Sequence, residues 1–177
     1  MFGGSTQLAT TTMYAKLAKQ AAEHFVHTQT RLALPAMVPS ELLLQRACYV
    51  TILEKPGKMM RGMYGQPLPR ESSLAEEIIT NTLSALDSSV RRADLNSLTY
   101  IVATVNHLQR ISDRSHLDPH QFGLYVRSDY GKQAVILPGR AGIETSDDQI
   151  ATAFREAGID PRHEPASMYR FRVTWYE

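Results

Sequence analysis

Helical and strand-like periodicities alternate along this chain and predict a mixed fold. Apolar residues recur three or four positions apart in residues 13–27 and 74–86, which is the spacing of an amphipathic helix. A further helix is predicted at 146–158, where acidic residues open the segment and a glycine closes it. A short helix is predicted at 41–46, after a serine that can cap it.

The segments between these helices have the composition of β-strands. Residues 47–53 are β-branched and aromatic, and turn-forming residues follow, so Met60–Gly65 is predicted to return as the second strand of a hairpin. Further strands are predicted at 99–108, on both arms of a hairpin over 126–135, and at 169–175. This pattern favours an α+β fold, a mainly antiparallel β-sheet flanked by helices, with room for a small second β lobe.

The composition is that of a soluble globular protein. Of 177 residues, 43% are hydrophobic and 21% charged, so we expect one domain over residues 13–177 behind a flexible tail at 1–12. No segment has the run of about 20 apolar residues that spans a bilayer, and the first residues do not resemble a secretion signal. The single cysteine, Cys48, lies in a predicted strand, where a buried thiol is expected. We therefore expect a cytoplasmic protein without membrane association.

Positive and negative residues are nearly equal in number, and most of the positive residues are arginines. A formal net charge of +1 argues against a nucleic-acid binder that works by overall electrostatics. Arginines nevertheless outnumber lysines by 14 to 5, and guanidinium groups suit phosphate, carboxylate or an RNA backbone. An RNA-binding accessory protein therefore stays open as an alternative.

The segment Met60–Gly65 is the strongest candidate for a functional site. Gly62 and Gly65 interrupt a predicted strand, which is tolerated where the backbone bulges or where another group must come close. Arg61 places a guanidinium beside this bare backbone and could clamp an anion or a carboxylate. The competing interpretation is a bulged edge strand with a solvated arginine. The candidate site residues are Arg61, Gly62, Met63, Tyr64 and Gly65.

The same segment resembles the Leu-Arg-Gly-Cys-Ile-Gly signature of the AMMECR domain family. Gly123–Arg127 is similar to the Gly-Leu-Ile-Val-Arg of that family, and Val135–Pro138 to its Leu-Leu-Leu-Pro, so the resemblance covers residues 13–177. Several positions depart from the family pattern, among them Tyr64 where the family has an aliphatic residue and the segment 87–91. Met63 replaces the cysteine of the signature, and Arg140 ends a segment that reads Leu-Pro-Gln-Val in the family. Because a thioether is a poor nucleophile beside a thiolate, chemistry that depends on this cysteine is closed to the chain.

The resemblance implies partners rather than a reaction. Bacterial and archaeal AMMECR domains occur in a three-part system with a Memo-type protein and a radical SAM enzyme, which implies an accessory or binding component. The alternative is a small enzyme with an anion-binding cleft around Arg61 and Gly62, completed by Pro138 and Arg140 of the glycine-rich loop 137–142. Whether the chain catalyses a reaction stays open.

Neither a cofactor nor a metal is expected. No nucleotide-binding fingerprint occurs in the sequence. His116, Asp118 and His120 are metal-ligand types within five residues, but a structural zinc site needs four ligands and no further cluster accompanies them. Solvated loop residues are the preferred interpretation.

Overall fold

A computed structural model describes residues 12–177 of the chain. The predicted tail at 1–12 lies outside the described residues, apart from Thr12, which caps the first helix. The α-helices are α1 (Met13–Thr28), α2 (Ser40–Leu43), α3 (Leu74–Ala85) and α4 (Ser146–Ala157). The strands are β1 (Cys48–Glu54), β2 (Met59–Gly65), β3 (Leu98–Ile111), β4 (Gly123–Ser128), β5 (Gln133–Ile136) and β6 (Ala166–Tyr176). Within residues 12–177, no helix has the length and hydropathy needed to cross a membrane.

The α+β prediction is confirmed, and the ends of several predicted helices and strands shift. The strands form a six-stranded antiparallel sheet, and the hairpin of β1 and β2 forms where the sequence predicts it. Helix α2 is shorter than predicted, because Leu44 already has an extended backbone with ψ of 137°. Strand β3 runs to Ile111, beyond the predicted end at 108, and passes through His107, whose φ of 55° is left-handed.

The chain divides into two compact units. Among the described residues, the first comprises 12–104 together with Trp175–Glu177, and the second comprises Val105–Thr174. Strands β3 and β6 each contribute residues to both units. The second unit is rich in strand, in keeping with the second β lobe for which the sequence leaves room.

In the first unit, helices α1 and α3 cover one face of strands β2, β1 and β3, which are hydrogen bonded in that order. The helical stripe predicted from residue 74 onward is the one that faces the sheet. The fully buried side chains of this core include Ala18, Ala21, Cys48, Val50, Ile52, Leu74, Ile78, Ile79 and Val102.

A buried polar cluster fixes α3 against its neighbours. One carboxylate oxygen of Glu77, which is 1% exposed, accepts the backbone N–H groups of Arg70 and Glu71, each at 2.9 Å. The Asn81 amide donates to the Cys48 carbonyl at 3.0 Å. Because a buried polar group is costly unless it is paired, these bonds position the helix on β1 and on the loop before it.

In the second unit, α4 packs on β4 and β5. Thr145 caps α4 by accepting the N–H of Asp148 at 3.1 Å, and Gly158 ends it with a φ of 66°. Strand β4 pairs with β5 on one side and with β6 on the other, both antiparallel. The buried apolar residues of this core are Ile111, Leu117, Leu124, Val126, Ile136, Ile143, Ala153 and Ile159.

Gly62 permits a close contact between β2 and the end of α3. A Cβ atom built at Gly62 would lie 1.9 Å from the carbonyl oxygen of Ala85, and one at Gly65 would lie 2.5 Å from the carbonyl oxygen of Cys48. Backbone atoms cannot move aside as the end of a long side chain can, so both positions exclude any larger residue.

We expect Gly62→Ala to destabilise the fold by about 3 kcal/mol or more, because the new methyl group must displace β2 or the end of α3. Urea unfolding followed by circular dichroism measures this change. Gly57→Ala in the same hairpin is the matched control, since a Cβ there has no atom within 4 Å. Equal midpoints for the two variants would contradict the close contact.

We expect the Cys48 thiol to be unreactive in the folded protein at pH 8. Burial raises the pKa of Cys48 to about 12, so the reactive thiolate is scarce. Since this pKa is above the unfolded value, the contribution of Cys48 to stability is present below about pH 9 and is lost as the pH rises toward 12.

Labelling with a chromogenic disulfide reagent tests the thiol prediction. Met63→Cys in a Cys48→Ala background is the control, because residue 63 is exposed. We expect the buried thiol to react about a thousandfold more slowly than this exposed one. Similar rates in the two folded proteins would contradict the prediction, while the wild-type thiol should react freely in denaturant.

Candidate functional site

Strand β2, which carries the five signature candidates, is an edge strand with a bulge at Arg61. In the described part of the chain, β2 pairs with β1 alone. Leu53 of β1 pairs with Met60 and Ile52 with Gly62, so Arg61 is the extra residue of the bulge. A bulge re-aims side chains at a sheet edge, and here it directs the guanidinium toward the segment after α3.

Arg61 is bound within the first unit by two carboxylates. Its Nη1 donates to Glu54 at 2.8 Å, and its Nη2 donates to the Ser89 hydroxyl at 3.1 Å and lies 3.7 Å from Asp87. The hydrogen bond to Glu54 raises the pKa of Arg61 above its usual value. The N–H and hydroxyl of Ser89 are the main cause that lowers the pKa of Asp87, with Arg61 adding to the effect. With 23% of its side chain exposed, Arg61 fastens the bulge to the segment 87–89.

The other signature residues divide between the two faces of β2. Gly62 meets Ala85, Gly65 meets β1, and Tyr64 packs half-buried against the first core. Met63 pairs with Thr51 and is 45% exposed. Most of the candidate segment therefore has an internal contact that accounts for it, and Met63 is the member that reaches the surface.

The candidate site residues did not include the two methionines that begin β2: Met59 lies before the candidate segment, and Met60 begins it without being one of the candidate site residues. Met59 is 60% exposed and Met60 is 59% exposed, so three large apolar side chains lie along one edge strand. Methionine side chains are flexible and polarisable, and they are over-represented on surfaces that bind proteins. The signal was present in the sequence as a Met-Met pair directly after a turn, but exposure could not be inferred before β2 was known to be an edge.

Pro138 and Arg140 lie in the second unit. Arg140 makes a bidentate pair with Glu156 of α4, with N–O distances of 2.9 and 2.6 Å. This hydrogen bonding raises the pKa of Arg140 and lowers that of Glu156. Pro138 is half-buried and is followed by Gly139, whose N–H donates to the Pro119 carbonyl at 2.8 Å. Arg140 thus holds its loop on α4, and a role for either residue in binding a ligand stays a prediction.

Two surface cavities have been located, and none of the seven predicted site residues lines them. One, of about 460 Å³, belongs to the second unit, and Arg110, Ser112 and Ser167 are its polar lining residues. The other, of about 180 Å³, belongs to the first unit and is almost wholly apolar, lined by α1, α2 and the segment 35–39.

The histidines of the segment 116–120 pair with separate acids. His116 lies 3.7 Å from Asp113, and His120 lies 3.6 Å from Glu144. In residues 12–177 no group of three or more His, Cys, Asp or Glu side chains is arranged to hold a metal ion.

Comparison with known families gives one match that covers nearly the whole chain. The model of the AMMECR1 family matches residues 15–176. The match therefore includes the signature segment and both compact units.

Two relatives and one solved structure extend this comparison. A protein from Thermotoga maritima is 28% identical over 169 residues, covering 93% of this chain and 97% of its own length. A protein from Clostridium acetobutylicum is 29% identical over 168 residues, which are 91% of this chain but 35% of that longer protein. The crystal structure of an uncharacterised protein from Pyrococcus horikoshii shares the fold, with a TM-score of 0.80 at 20% identity, covering 92% of this chain and 88% of that one.

Proposed function

This chain belongs to the AMMECR1 family, and we propose that it is a binding component that docks on a partner protein through the edge of β2. The observation that carries the proposal is the row of exposed methionines, Met59, Met60 and Met63, on a strand whose outer edge has no pairing strand in residues 12–177. An unpaired edge offers backbone hydrogen bonds to an added strand, and apolar side chains beside it provide contact area.

The internal contacts of the signature support docking rather than catalysis at β2. The Arg61 guanidinium forms ion pairs with Glu54 and Asp87. A glycine is needed at position 62 because the Ala85 carbonyl lies against it. A substrate anion at Arg61 would have to compete with both carboxylates. Met63 occupies the position of the family cysteine and has no proton to transfer.

Charge at the hairpin tip indicates the character of the partner surface. Lys55 and Lys58 are exposed, and neither takes part in an ion pair within residues 12–177. The partner strand we propose therefore carries apolar side chains over the methionines and an acidic group near the lysines.

The partner that we propose is a Memo-type protein, acting together with a radical SAM enzyme. The family resemblance is one support for this choice. The other is the Clostridium relative, in which about two thirds of the chain lies outside the matched region. A domain that is joined to further chain in the Clostridium relative and makes up 97% of the Thermotoga relative is suited to work beside a second protein.

We expect the Met60→Ser/Met63→Ser variant to lose at least about tenfold in affinity for the Memo-type protein of the same organism, because two apolar contacts are removed from the interface. Isothermal titration calorimetry with purified proteins measures this change. Met37→Ser is the matched control, since Met37 is 90% exposed and lies in the first unit beside residues of α1 and α2 rather than on β2. Both variants should keep the thermal stability of the wild type.

Three outcomes would overturn the proposal. Unchanged affinity of the double variant would exclude docking through β2, and no complex with the wild-type chain would exclude the Memo-type partner. Turnover of a metabolite by the purified chain, lost in Arg61→Ala, would support the enzyme alternative instead.

A further inference from the structure

Two arginines of the second unit share one aromatic ring. The guanidinium carbon of Arg170 lies 4.6 Å from the centre of the Phe122 ring, and that of Arg172 lies 4.9 Å from the same centre. The two arginines are two positions apart on β6, so their side chains leave the same face of the strand. The electron-rich face of an aromatic ring attracts cations, and it therefore holds both guanidinium groups in place.

Neutral acceptors fix Arg170 without cancelling its charge. Its Nε and Nη2 donate to the Gln109 side-chain oxygen at 3.2 and 2.9 Å, and its Nη1 donates to the His116 carbonyl at 2.8 Å. Three of the five N–H groups are used in this way. Arg172 is exposed and makes no hydrogen bond to residues 12–177, so all five of its N–H groups remain for a ligand.

Within the part of the chain that the structure describes, neither Arg170 nor Arg172 has a carboxylate partner. Within residues 12–177, no ion pair includes either guanidinium, whereas Arg61, Arg114 and Arg140 each bind an acid. Two positive charges held against one ring repel each other, and the ring does not neutralise them. A negatively charged ligand would be attracted to both guanidinium groups and would reduce their repulsion.

From this geometry we propose that Arg170, Arg172 and Phe122 form a binding site for the phosphate group of a small phosphomonoester. A phosphomonoester carries a charge of about −1.5 to −2 at neutral pH and three acceptor oxygens, which match two guanidinium groups better than a single carboxylate does. A nucleic-acid base that stacked on Phe122 would compete with the two guanidinium groups that lie over the ring. This favours a small molecule over single-stranded RNA.

The test measures binding of glycerol 3-phosphate to the full chain by calorimetry, with ¹⁵N amide shifts to locate the site. We expect a dissociation constant of about 1 mM or tighter, and at least about tenfold weaker binding in Arg172→Gln, which removes a charged donor whose N–H groups make no hydrogen bond within residues 12–177. Phe122→Leu should also weaken binding, because the ring that positions both cations is lost. Arg162→Gln is the matched control, since Arg162 is an exposed arginine of the same unit that lies outside the site.

Ligand comparisons define what would overturn the proposal. Dimethyl phosphate carries one charge and should bind more weakly than glycerol 3-phosphate; equal binding would refute a site for two charges. No binding of glycerol 3-phosphate, or equal weakening by Arg162→Gln and Arg172→Gln, would refute the site itself. An RNA oligonucleotide without a terminal phosphate that binds more tightly, and loses that binding in Arg172→Gln, would replace the small molecule by RNA.

Discussion

The contact between the backbone of β2 and the last turn of α3 is the constraint on which the candidate surface depends. Because Gly62 has no side chain, the strand lies directly against the Ala85 carbonyl, and the register change at Arg61 then turns a guanidinium onto Glu54 and the segment after the helix. These contacts cover one face of the strand, so that face is not accessible to another molecule. Whatever β2 offers to another molecule must therefore lie on its other face and along its edge.

The elements of the fold were largely predictable because local spacing determines them. The stripe of α3, the hairpin after residue 54 and the glycine end of α4 each follow from a few neighbouring residues. The candidate site was less predictable. The sequence left open whether Gly62 and Gly65 mark a bulge or a close approach. The structure has a close approach at both, and the approaching groups, Ala85 and Cys48, are distant along the chain.

The exposure of a side chain and its ion pairs depend on residues that are distant in the sequence, so local patterns cannot predict them. Trp175 lies on the same face of β6 as the fully buried Phe171, yet Trp175 is exposed, because alternation along a strand identifies a face and not what covers it. The composition shows that the chain has many arginines. It does not show which arginines form an ion pair with an acid and which do not. Arg140 and Arg172 look alike in the sequence, and the first is bound to Glu156 while the second has no acid in the described chain.

The candidate surfaces of the two units differ in character: the one in the first unit is apolar, and the one in the second unit is positively charged. In the first, the arginine of the signature is neutralised and the exposed groups of β2 are thioethers. In the second, two guanidinium groups keep their charge on the face of β6. A protein partner and a small anion are thus assigned to separate units, and neither proposal depends on the other.

The route of the chain between the units has a consequence for synthesis. The first unit contains the last three residues, where the Glu177 carbonyl accepts the Thr12 N–H at 3.0 Å and the ring of Tyr176 stacks on Tyr14 with centres 4.0 Å apart. These contacts cannot form while residues 175–177 are still inside the ribosome. The unit that emerges first is therefore completed last, after the whole of the inserted second unit has been translated.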